Sequence, residues 1–121
     1  MANILLVGLP SDTAADFVRK LEPLRPSITS QPYPSRSMDV SHVDLVLACS
    51  DDCRCRSLLR QVHRQRPELP FVMVSSMADD SKWIEALEAG ATDYCRTDID
   101  PSHLRWIVEN ALPLRAMVSA A

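Results

Sequence analysis

Short apolar runs recur along the chain, bounded by glycine, proline or charged residues. The most continuous is Leu45-Val46-Leu47-Ala48-Cys49, opened by Asp44 and closed by Ser50-Asp51. A continuous run suits a strand covered on both faces, as in a parallel sheet, better than an alternating one would. Similar runs at 3–8, 70–75 and 92–96, with a weaker one at 28–31, predict four more strands. Between them the period changes to that of a helix. Ala14, Phe17, Val18 and Leu21 predict a helix from about 11 to 22, with Ser11 or Asp12 as N-cap and Pro23 as its stop. Cys55, Leu58, Leu59 and Val62 predict a second over 52–66, ended by Pro67. Asp79-Asp80-Ser81 opens a third that stops at Gly90. Pro101 opens the last, with a core stripe of Leu104, Val108 and Ala111. Residues 32–42, broken by Pro32 and Pro34, have little apolar periodicity, so any helix there is short or missing. Strand and helix alternate, which predicts an α/β sandwich around a five-stranded, mostly parallel sheet.

Length and composition narrow the classes. The 121 residues suit one domain over 1–121, with 113–121 reading as a linker-like tail. Apolar residues make up 46% and charged ones 24%, the balance of an ordinary globular domain. A formal charge of -3 argues against nucleic acid or acidic lipid as the partner of the whole surface. The sequence holds no apolar stretch near the roughly 18 residues a membrane span needs. Its first residues lack a basic n-region, so the expected location is the cytoplasm.

Open parallel sheets carry their chemistry just past the carboxyl ends of the central strands, and Cys49 falls there. The four cysteines do not read as a zinc site. Cys49, Cys53 and Cys55 cluster, but a second Cys or His pair at ligand spacing is lacking. The plain reading is of free thiols behaving as small hydrophobes. Five arginines between 54 and 66 make a basic stripe, read first as a solvated helix face. The segment 79–100 carries Asp79, Asp80, Glu85, Glu88, Asp93, Asp98 and Asp100, so opposite patches could steer a partner or a second copy.

The stretches Asp44-Leu45-Val46-Leu47, 70–76, Ala86-Leu87-Glu88-Ala89-Gly90-Ala91-Thr92-Asp93-Tyr94 and Asp100-Pro101 resemble the receiver domains of two-component response regulators, CheY-like proteins. The resemblance covers nearly the whole chain. It implies a flavodoxin-like doubly wound parallel sheet of strand order 2-1-3-4-5 with helices on both faces. It also implies where phosphoryl chemistry would sit, and there the sequence departs from the pattern. The Mg2+-binding acidic pair falls on Gly8 and Leu9, the phosphorylated aspartate on Cys49, and the lysine on Thr97. Ser75, the hydroxyl position, and Tyr94, the switch aromatic, are kept. Losing ligands, nucleophile and lysine together leaves nothing to gather phosphoryl charge. The expectation is a pseudo-receiver that is not an enzyme, needs no cofactor or metal, and signals through protein contacts.

By the same resemblance, Trp83, Leu87, Tyr94 and Ile107 fall on the face formed by the fourth helix, fifth strand and fifth helix. Receivers use that face for dimers or partners, and exposed aromatics make good anchors. Alternatives are a thiol redox switch through Cys49, Cys53 and Cys55, and a phosphoacceptor of unusual chemistry with a shifted metal site at Asp12, Asp51 and Asp52.

Overall fold

The computed structural model describes residues 2–36, 38–77 and 79–112. In chain order the elements are β1 (Asn3–Val7), α1 (Ser11–Leu21), a 3-10 turn (Glu22–Leu24), β2 (Ser27–Gln31), β3 (Leu45–Cys49), α2 (Cys55–Gln65), β4 (Phe71–Ser75), α3 (Asp80–Glu88), β5 (Asp93–Arg96) and α4 (Pro101–Ala111). All five strands are parallel, in the order β2-β1-β3-β4-β5. β3 is central, and all five of its residues are buried, as its unbroken apolar run requires.

Alternate residues of β1, β3, β4 and β5 feed two separate cores. On one face Ile4, Leu6, Leu45, Leu47, Val72 and Val74 meet Phe17 and Leu21 of α1 and Leu104 and Val108 of α4. On the other, Leu5, Val7, Val46, Ala48, Phe71 and Met73 meet Cys55, Leu58, Leu59 and Val62 of α2. Each fully buried aliphatic or aromatic side chain contributes about 1.5–3 kcal/mol. The stripe predicted for α2 is the stripe that is buried.

Among the described residues, no helix joins β2 to β3. The connection instead packs as an extended strap. Val40 is fully buried, Met38 packs on the core, and Tyr33 turns inward. Arg66 fastens this strap by donating from its guanidinium to the carbonyls of Val40 and Val43. Asn3 Nδ2 donates to His42 O at 2.9 Å, and Gln65 Nε2 to Met38 O at 2.7 Å. Arg66 therefore does not belong to a solvated arginine face.

Two helix starts differ from expectation. Pro10, not Ser11 or Asp12, holds the N-cap position of α1, and no side chain caps it. Proline's fixed φ directs the chain into the helix there, while Asp12 Oδ1 accepts from Thr13 N. α2 begins at Cys55, because Asp52 shapes the preceding residues into a turn by accepting from Arg54 N at 2.8 Å. The stop of α3 is as predicted, with Gly90 at φ +104° just past the helix.

Candidate functional site at the carboxyl edge of the sheet

β1 and β3 end side by side, in register through Val7 and Ala48, which brings Gly8, Leu9 and Cys49 to one edge. Gly8 N donates to Gln31 O at 2.9 Å, and Gly8 itself has φ +71°. Its missing side chain has a direct use. A Cβ there would stand 2.2 Å from Cε2 of Tyr33, so the tyrosine ring occupies the space that a residue at 8 would enter. Leu9 packs against both cores.

Tyr33 covers this edge. Its hydroxyl donates to the carbonyl of Cys49, and the Cys55 thiol adjoins the same hydroxyl. Burial, and then these neighbours, push its phenol far above its usual range, so it acts only as a neutral donor. The Arg54 guanidinium lies over the ring, 5.1 Å from its centroid, a cation–π contact. Asp52 holds that guanidinium by two bonds, 3.0 Å from Nε and 2.7 Å from Nη2. The Arg54 contact in turn carries the Asp52 carboxyl down to about 2.

Cys49 and Cys55 of this edge are buried thiols. Burial raises Cys49, and burial raises Cys55 to about 11. Cys95, buried on β5, is pushed up to about 12. Cys53 alone of the four is exposed, and all four are free. The redox reading asked for a depressed thiol at Cys49, whereas the environment moves it the other way.

A second cluster ties the loop after β3 to the loop after β4. Asp51 accepts from Ser75 Oγ at 2.6 Å, Ser76 N at 3.0 Å and Ser76 Oγ at 2.7 Å. Burial raises this carboxyl, but the serine bonds outweigh it and the net shift is downward. Ser75 is almost fully buried and also accepts from Met77 N. Thr97 donates its backbone N–H to Ser75 O at 3.0 Å, which places it at the same edge without a cation. The three aspartates considered for a shifted metal site are each engaged elsewhere, Asp12 locally, Asp51 by serines and Asp52 by arginine. Among the described residues, no group of three His, Cys, Asp or Glu side chains is placed to hold a metal ion.

Beyond this edge, α3 exposes Trp83, Ile84 and Leu87 and buries only Ala86. Trp83 is 46% exposed. Two residues expected on the same outer face are not on it. Ile107 is 4% exposed and packs in the α1–α4 core, because its position on α4 turns it inward beside Leu104 and Val108. Tyr94 is 9% exposed, and its hydroxyl has no hydrogen-bond partner. Trp106, 59% exposed, is the outward aromatic of α4 and stands against His103 with ring centroids 6.2 Å apart.

Comparison with solved structures matches this topology end to end. A response regulator receiver domain protein from Clostridium thermocellum superposes with a TM-score of 0.77 at 18% identity, covering 98% of this chain and 99% of that one. The fold is the receiver fold. A Burkholderia thailandensis protein named as a pilus assembly protein, CpaE, shares it with a TM-score of 0.77 at 22% identity, over 92% and 98% of the two chains. In sequence the chain is 24% identical to the phosphoglycerate transport system transcriptional regulatory protein PgtA of Salmonella typhimurium. The match takes in 98% of this chain but only 30% of that relative's length. No family model matches the chain. Gly8, Leu9, Cys49, Ser75 and Thr97 lie at or just past the carboxyl ends of β1, β3, β4 and β5. Tyr33 is the member that sequence reasoning missed. An aromatic between two prolines in an otherwise polar stretch was its one visible signal.

Proposed function

We propose that this chain is a signalling module of receiver fold that works through protein contacts and does not undergo aspartyl phosphorylation. One observation carries the reading: the ring of Tyr33 fills the space above Gly8 and its hydroxyl donates to the Cys49 carbonyl, where a receiver would bind metal and phosphoryl group. The edge offers neither a carboxylate on β3 nor a lysine at 97. Asp51, in the loop after β3, is already engaged by three donors from Ser75 and Ser76. The module is read as non-enzymatic, without cofactor. Its docking face is the outer side of α3, with Trp83 and Leu87 as anchors, together with the end of β5 and Trp106 of α4. The relative's name, a transcriptional regulatory protein, is consistent with a module that passes a signal onward.

The test uses a small-molecule phosphodonor with Mg2+ and intact mass measurement. The expected spectrum is unchanged after incubation. A gain of one phosphoryl group, mapped to any aspartate of this edge, would refute the reading.

A further inference from the structure

A groove of about 610 Å³ opens between the starts of α3 and α4. Its carboxylates are Asp79, Asp80, Asp98 and Asp100, against a single guanidinium, Arg96. Asp98 already holds Arg96, at 2.9 Å from Nε and 3.1 Å from Nη2. Asp79 and Asp100 cap α3 and α4, so backbone N–H groups fix both as anions. Trp83 forms one wall of the groove. Clustered carboxylates beside an exposed indole face suit a guanidinium, through ion pairing and cation–π contact together.

The same chain carries the complement. Arg56, Arg60 and Arg64 recur every four residues along α2, and all three are exposed. Arg56 has only a loose contact, 3.8 Å from Glu85. Arg60 and Arg64 make no ion pair among the described residues. α2 and the groove lie on different elements, and the three arginines stand outside the buried stripe of Cys55, Leu58, Leu59 and Val62.

We infer that the arginine stripe of α2 on one copy seats in the acidic, Trp83-walled groove of the next. This deepens the docking reading above and depends on it. The contact is head-to-tail rather than symmetric, because one patch meets a different patch. The dimer then keeps a free groove on one copy and a free stripe on the other, and association continues beyond the dimer with rising concentration.

Sedimentation velocity over a concentration series, with mixing of two variants, tests this. Arg60→Glu/Arg64→Glu disables the stripe and leaves the groove. Trp83→Ala/Asp80→Asn disables the groove and leaves the stripe. All four positions are exposed, and circular dichroism checks that each variant folds. The wild-type chain should associate beyond the dimer and weaken about tenfold between low and high salt. Each variant alone should be monomeric, and the equimolar mixture should form a heterodimer that grows no further. A monomeric wild type overturns the inference, as does a mixture that stays monomeric. If the stripe variant associates like wild type while the groove variant does not, the inference fails but the docking face survives. If both variants associate like wild type, face and inference fall together.

Discussion

Tyr33 is the residue on which the edge depends. Tyr33→Phe removes the donor to the Cys49 carbonyl and should cost about 1–2 kcal/mol in chemical denaturation. Tyr33→Ala also leaves a void under Arg54 and should cost about 3–5 kcal/mol. Gly8→Asp forces a side chain into the ring at a left-handed φ. It should destabilise the fold by about 2–4 kcal/mol and yield no Mg2+ site, as read by denaturation and metal titration. The thiols give a simpler check. A disulfide reagent should modify one cysteine of four quickly in the native chain, Cys53, and the rest only on unfolding. Fast modification of Cys49 would contradict the burial described.

Asp51 adds a pH dependence at this scale. Its folded pKa lies below the ordinary value of 3.8, so its contribution is present above that value. The contribution is lost as pH falls through the lower, folded pKa. Asp51→Asn should therefore flatten part of the acid limb of a stability-versus-pH curve and leave neutral-pH unfolding cooperative. An acid limb identical to wild type would remove Asp51 from the loop-to-loop tie.

At the scale of elements, α2 and α3 contrast. α2 seats four side chains in the core, whereas α3 seats only Ala86 and turns Trp83, Ile84 and Leu87 outward. Local opening is cheapest where few apolar groups are buried, so amides of α3 should exchange with solvent well before those of α2. Equal protection of the two helices in solution would mean that α3 is covered, as self-association through its face would cover it. The periodicity of α2 located its buried face residue by residue, since a helix against a sheet needs one continuous stripe. α4 was only half legible. Leu104 and Val108 are in the core as expected, but the stripe is wide enough to take in Ile107, so Trp106 alone is left outside. One turn of helix separates a side position from a core position by a small rotation, and periodicity alone does not fix it.

For the whole molecule, the sheet and its helices form two cores that share the strands between them. The basic stripe and acidic groove lie on different elements of a chain whose formal charge is only -3. Such separation gives the surface a direction, and the head-to-tail association tested above is its measurable form. Among the described residues, no helix is long and apolar enough to cross a membrane.

The apolar runs and the punctuation by Pro67, Gly90 and Pro101 determined the strands, the helices and their order, because local period and chain breakers act within a few residues. The absence of carboxylate and lysine at Gly8, Leu9, Cys49 and Thr97 was equally a property of sequence, once the strands were placed. Tertiary structure alone decided what surrounds these positions. Tyr33 reaches Cys49 from 16 residues away, Asp51 meets Ser75 across 24, and Arg66 fastens a strap that has no period to read. Such contacts join segments far apart in the chain that only the folded parallel sheet brings together.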